Sequence, residues 1–293
     1  MTKSKSDLKS TRELREVSRI IEGVPTTDGA GVELTRVIGS PELNRLDPFL
    51  LLDRFRSDQP QDYIAGFPPH PHRGFETVTY LLAGRMRHQD NPGHEGVIES
   101  GGVQWMTAGR GIVHSEMPEQ EDGLLSGFQL WVNLPAKHKL DSPAYQEHAA
   151  SDIPTESRDD GATVRVIAGE TRMGTRGPIQ QPLTNPLYFD ITLPAHASYK
   201  ELIPPEHNAF LYLIDGSVEL ARVDGSRVSL KADQLAVLTH GEQFAVNAED
   251  LGARLLLIAG RPLNEPVARG GPFVMNTKAE IQQAFDDYSA GRI

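Results

Sequence analysis

The run His70-Pro71-His72-Arg73-Gly74-Phe75-Glu76 and, further along, His114-Ser115-Glu116 contain the residue types that hold a divalent metal. On an extended strand residues two apart point to one face, so His70, His72 and Glu76 share a face, as do His114 and Glu116. Two antiparallel strands carrying such sets bring their donors to one point. An imidazole-rich site with a single carboxylate suits Fe(II), Mn(II), Co(II), Ni(II), Cu(II) or Zn(II), and in an octahedral shell leaves open positions for a substrate and dioxygen. Either Glu76 or Glu116 can supply the carboxylate on this geometry. With 10 His in 293 residues, a single His is an ordinary surface or core residue; the spacing, not the number, carries the signal. Arg73 reads equally as a hydrogen-bond partner of a ligand and as a surface charge.

Such a site has to be built without sulfur. The chain has no Cys, which excludes disulfides, Fe–S clusters, thiolate zinc sites and cysteine nucleophiles. With 40 Asp and Glu against 29 Lys and Arg, the formal charge is −11, which argues against direct nucleic-acid or anionic-membrane binding. No stretch is long and apolar enough to span a membrane, and the polar start MTKSKSDLKSTRELREV lacks the apolar core of a secretory signal. A soluble, cytoplasmic protein is expected.

The elements that must position these residues are strands. A length of 293 residues predicts about two domains, and 27 Gly with 21 Pro favours a turn-rich β protein. Residues 1 to about 15 are charged and read as loosely tethered. Strands are expected over 31–38, 47–53, 75–82, 103–107, 109–114 and 128–134. The Pro-, Ser- and Asp-rich stretch 135–160 reads as a connection. A second set follows at 164–168, 187–193, 209–214, 235–238 and 254–258. Only residues 278–288 have helical spacing, with Ile281, Ala284, Phe285 and Tyr288 on one face and Thr277 as N-cap. Gly109 and Gly111 suit a tight turn before the His114 strand, and Trp105 and Met106 read as core.

The two β-rich halves are alike. Phe67-Pro68-Pro69 precedes a strand ending Tyr80-Leu81-Leu82-Ala83-Gly84, and Ile203-Pro204-Pro205 precedes one ending Tyr212-Leu213-Ile214-Asp215-Gly216. This repeat implies two copies of one all-β domain, most naturally a double-sheet jelly roll.

Four runs carry a resemblance to a known family: Phe67 to Val78, Gln104 to Pro118 (QWMTAGRGIVHSEMP), Leu130 to Pro135 (LWVNLP) and Gly271 to Thr277 (GPFVMNT). From about Gly31 onward the chain resembles the pirins, a family of the cupin superfamily. The resemblance implies two tandem cupin domains, each a double-stranded β-helix, with a short C-terminal helix: 1–145 as the metal-binding cupin and 146–293 as a metal-free one. It implies a single Fe held by His70, His72, His114 and Glu116, whereas cupins in general would use Glu76. His88 and His94 also fall where pirins tend to carry His, though no spacing argument brings them to the metal. The second half has no His-x-His pair; it offers Glu206-His207, which point to opposite strand faces, and an isolated His240.

The activity implied is that of a quercetin 2,3-dioxygenase, in which Glu116 or Glu76 takes the enolic proton of a flavonol and O2 opens the ring with loss of carbon monoxide. The alternative the resemblance allows is an iron-dependent regulatory protein of the transcriptional co-regulator type, acting through a protein partner with no essential turnover. A metal-storing or structural role without turnover is the third. A monomer is expected.

Overall fold

A computed structural model describes residues 13–293. The first half contributes β1 (Val17–Glu22), β2 (Val24–Asp28), β3 (Val32–Ile38), β4 (Phe49–Ser57), β5 (Phe67–His72) and β6 (Phe75–Ala83). It continues with β7 (Arg85–Asp90), β8 (Glu95–Glu99), β9 (Val103–Thr107), β10 (Ile112–Pro118), β11 (Leu125–Asn133) and β12 (Ala144–His148). The second half holds β13 (Thr155–Ser157), β14 (Thr163–Ala168), β15 (Leu187–Leu193), β16 (Ser198–Leu202) and β17 (Asn208–Ala221). After these come β18 (Arg227–Lys231), β19 (Gln234–Leu238), β20 (Gln243–Gly260), β21 (Ala268–Gly270), β22 (Phe273–Met275) and α1 (Lys278–Ser289).

The fold is all-β, as the pattern predicts. A seven-stranded sheet runs β12-β9-β6-β11-β4-β3-β2 and a four-stranded sheet runs β5-β10-β7-β8. Val32, Leu34, Phe55, Leu81, Met86 and Leu125 fill part of the space between them. The opposite face of the seven-stranded sheet packs on a nine-stranded sheet of the second half. There Val78, Tyr80, Trp105, Phe128 and Leu130 meet Tyr188, Phe210, Tyr212 and Ile258 in one core. The repeated strands β6 and β17 therefore both reach this shared core through Tyr80 and Tyr212. Strands buried on both faces, such as β6, read as unbroken runs of β-branched and aromatic residues for this reason.

Several expectations need correction. The expectation of a loose start covers residues 1–12, outside the described residues, but it does not extend to 13–15. Arg15 is buried and donates to the carbonyls of Gly241, Thr239 and Pro204. Strand β1 then pairs antiparallel with β19 of the second half, not with its sequence neighbours. Stretch 135–160 is more structured than a connection: β12 pairs with β9 and β13 with β14. The ligand strand starts at Ile112, because Gly109 and Gly111 turn the chain with φ of +50° and +139°. A Cβ on Gly109 would meet the Asp141 carbonyl oxygen at 2.1 Å, so no larger residue fits there. The helix forms where predicted, with a Thr277–Glu280 capping box, but Ile281 and Ala284 alone are buried; Phe285 and Tyr288 lie against Phe273 at the surface.

The C-terminal segment returns to the first half. Val274 donates its N–H to the Arg73 carbonyl at 3.0 Å, and Arg73 pairs with Asp287 of α1 at 2.7 Å. Hydrogen bonds from Arg73, Arg292 and Gln283 hold the Asp287 carboxyl well below the usual carboxylate range. Gly74 sits at φ +88°, and a Cβ there would lie 2.0 Å from the Val274 carbonyl oxygen. Buried Lys139 closes the junction, donating to Gly74 O, Asn133 Oδ1 and Val274 O at 2.6, 2.6 and 3.0 Å. Burial pulls its ammonium down to about 8, and that desolvation offsets part of what the three bonds contribute. Lys139→Met leaves three acceptors without their donor and is expected to cost on the order of 3 kcal/mol, read as a lower urea midpoint.

Candidate metal centre

Two strands of the four-stranded sheet bring three imidazoles together. In the β10–β5 ladder His114 lies opposite His70, and ring centroids of His70, His72 and His114 are 4.5 to 5.1 Å apart. One ring nitrogen from each lies within 4.8 Å of the other two. Hydrogen bonds fix the tautomers: His70 Nδ1 donates to Pro68 O at 2.8 Å and His72 Nδ1 to Pro272 O at 3.3 Å. A carbonyl can only accept, so in the neutral ring each Nε2 is the atom left with a lone pair. These two Nε2 atoms face each other at 3.0 Å, an arrangement of two acceptors that a shared cation satisfies.

His114 makes the same point. It is 1 % exposed, and neither of its ring nitrogens has a hydrogen-bond partner among the described residues. Burial first, then the neighbouring imidazoles, pushes His72 and His114 well below the usual histidine range, so both are neutral donors at neutral pH. The donor set fits a borderline divalent metal.

The two carboxylates part company. Glu116 lies two residues after His114 on the same buried face of β10. Its Oε1 accepts from Thr79 Oγ1 at 2.9 Å and its Oε2 from Gln129 Nε2 at 2.8 Å. The Gln129 amide is itself oriented by Trp131 Nε1, which donates to its Oε1 at 3.3 Å. Glu76, by contrast, sits on the face of β6 that carries Val78 and Tyr80, toward the second half. Its Oε1 accepts from Thr107 Oγ1 at 2.7 Å and from Gln181 Nε2. The expectation that Glu76 shares a face with His70 and His72 fails because Arg73 and Gly74 turn the chain between β5 and β6, which belong to different sheets. Alternation counts only within one strand.

Burial raises the Glu76 carboxyl to about 7, against hydrogen bonds that favour its ionised form. Its folded value lies above the unfolded one, so the stability it contributes is complete below pH 4.5 and is lost as pH rises through about 7. Glu76→Gln keeps an acceptor for Thr107 and Gln181. Its urea midpoint is expected to fall less across this window than that of the wild type, whose loss is on the order of 3 kcal/mol.

His70 and His72 open on a cavity of about 580 Å³ whose walls include Phe67, Pro68, Met86, Trp131, Thr79, Gln129 and Arg269. Arg269 lies over the Trp131 ring at 4.7 Å. Two larger cavities, of about 980 and 810 Å³, lie along β2 and β3 and in the second half, away from the three histidines; the smaller one is the one with the chemistry. Thr79, Gln129 and Arg269 escape a reading of motifs because each is an ordinary polar residue. The available signal for the first two is the polar side chain itself, set on the inward alternation of an apolar strand. In the second half, burial pushes His207 down to about 4, Glu206 is exposed, and exposed His240 contacts the Pro205 carbonyl.

A family model described as "Pirin" matches residues 31–132, and one described as "Pirin C-terminal cupin domain" matches residues 188–293. The chain is 53% identical over 280 residues to a pirin-like protein of Caulobacter vibrioides, covering 95% of this chain and 99% of that one. It is 45% identical over 264 residues to the pirin of Homo sapiens, covering 89% and 88%. Its fold matches the crystal structure of a quercetin 2,3-dioxygenase from Acinetobacter baumannii with a TM-score of 0.86 and 33% identity, covering 96% and 98%. Among the described residues no helix is long and apolar enough to cross a membrane.

Proposed function

Because the chain belongs to the pirin family, with two cupin-type domains, we propose that it is a metal-dependent dioxygenase that cleaves flavonols of the quercetin type. The observation that carries this reading is the set of three converging imidazoles, two of which, His70 and His72, line an aromatic-walled cavity. Residues 1–145 form the reacting domain in this reading, and 146–293 a domain without a cupin metal centre of its own that lends Arg269 and Pro272 to the cavity.

His70, His72, His114 and Glu116 would hold one divalent ion, Fe(II) being the expected one, with Mn, Co, Ni, Cu and Zn also compatible with the donors. When bound, that ion supplies Lewis-acid stabilisation of a substrate oxyanion and redox contact with O2.

The chain's own residues do the rest. Glu116, buried behind the cavity-lining Thr79 and Gln129 and held by both, accepts the enolic proton of the flavonol in this reading, the role of a positioned general base. Trp131, Phe67, Pro68 and Met86 present flat and apolar surface to the fused rings and keep water from the reacting carbons. Overall the heterocycle takes up both atoms of O2 and releases carbon monoxide.

The test is a steady-state assay with quercetin that reads carbon monoxide from the iron-loaded protein and from His72→Ala. Turnover in the wild type that disappears in the variant is expected. No turnover with any flavonol at full iron occupancy would sink the dioxygenase and leave the regulatory reading, in which binding of a protein partner follows the state of the metal.

A further inference from the structure

A second group of ligating side chains lies beside the first centre and shares no residue with it. His88 of β7, His94 of the turn between β7 and β8, and Glu147 of β12 bring two ring nitrogens and a carboxylate oxygen within 4.8 Å of one another. His88 Nε2 lies against Glu147 Oε1, and His94 Nε2 is 3.5 Å from Glu147 Oε2. Yet both Nε2 atoms are buried and lack a well-formed hydrogen bond among the described residues. His88 as a whole is 1 % exposed. A nitrogen so deeply buried costs free energy unless something accepts its lone pair or its proton.

The surroundings form a cradle for that group. Asp90 Oδ1 accepts the backbone N–H of His94 at 2.7 Å, and Asp90 N–H donates to the His94 carbonyl at 3.0 Å, so the turn that presents His94 is closed. The Tyr145 ring lies along His94 at a centroid distance of 4.3 Å and along His88 at 6.1 Å. Gln104, opposite Glu147 in the β9–β12 ladder, donates to Glu147 Oε1. Beneath the three, Gly96 leaves the space open: a Cβ there would lie 2.5 Å from His88 Nε2 and 3.1 Å from Glu147 Oε2. On the outer side the His94 and Glu147 side chains are 40% and 31% exposed, which gives an ion a path in.

The geometry points to a second divalent-cation site made by His88, His94 and Glu147, suited to a borderline ion such as Zn(II). Two imidazoles and one carboxylate are the protein ligands of an open tetrahedral zinc site, with water as the fourth, while the nitrogen donors disfavour Mg(II) and Ca(II). A bound ion would fasten the β7–β8 turn to β12. The site does not depend on the dioxygenase reading.

The full-length chain is stripped with chelator, equilibrated with Zn(II), desalted and analysed for zinc per chain. His94→Ala and Glu147→Gln, both at partly exposed positions, are each expected to bind one equivalent less than the wild type. Anomalous density at the zinc edge is expected between the three side chains. If the wild type holds two ions, His72→Ala loses the other one. A wild type with one ion that His94→Ala loses entirely keeps this site and removes the three-histidine one. Equal zinc in wild type and His94→Ala overturns the proposal, leaving His88 and Glu147 as a side-chain pair without an ion.

Discussion

His114→Ala is expected to abolish the proposed turnover and to prevent iron from loading at the three-histidine centre while leaving the fold intact. His114 is buried with both ring nitrogens unpartnered, so among the described residues its side chain holds no strand or turn in place through a hydrogen bond, and its backbone pairing with β5 and β7 survives the substitution. Without metal the variant should melt no lower than the wild type by more than its lost packing, because an unsatisfied buried imidazole is itself costly. With metal the two diverge. An ion at 100 times its Kd stabilises a folded chain by about 2.7 kcal/mol, so saturating Fe(II) should raise the wild-type melting temperature more than that of the variant. Outer hydrogen-bond partners of a metal ligand are already worth roughly 10–100-fold in affinity, and loss of the ligand itself should exceed that. Full iron binding and turnover in His114→Ala would remove this residue from the centre.

Glu116→Gln separates ligand from base. The new side chain still accepts from Thr79 through its carbonyl oxygen, but its NH2 group faces the NH2 group of Gln129, which must turn away from its present contact. The three imidazoles remain, so metal binding should weaken and persist at saturating iron. The proposed proton acceptor is gone, and kcat should fall by roughly 10²–10⁴-fold, the usual value of a placed general base. Glu76→Gln, facing the other half of the molecule, should leave kcat within a few-fold of wild type. Equal losses from the two substitutions would contradict the separation of the two carboxylates seen here.

The three histidines are legible in the sequence because His70 and His72 alternate on one strand and His114 lies opposite His70 on the next; Glu116 keeps the buried side of β10 although the pairing with β5 shifts register between it and His114, and the gathered donor group is the three imidazoles alone. Glu76 is misread for the same reason turned round: a left-handed glycine at 74 ends one strand, and the count restarts in another sheet. The capping box of α1 and the β-branched cores of β6 and β15 are local and can be read directly. What cannot be read is long-range. Nothing in the sequence near Val17 says that β1 pairs with β19, nor does any motif bring Glu147 to His88 and His94. Thr79 and Gln129 become functional only when two neighbouring strands place both of them against Glu116.

The return of the C-terminal hairpin has a consequence for when the protein can first work. The His72 ring takes its orientation from a carbonyl 200 residues later in the chain, and the turn after it is clasped by Arg73 to Val274 and Asp287. On the ribosome the ligand strands emerge long before the segment that aims them. The nascent first half therefore holds its histidines without their final alignment, and tight binding of the proposed ion has to wait for residues 272–287. Synthesis through Asp287 becomes a checkpoint, so a product truncated before Pro272 that carries all four proposed ligands is expected to be poorly charged with metal.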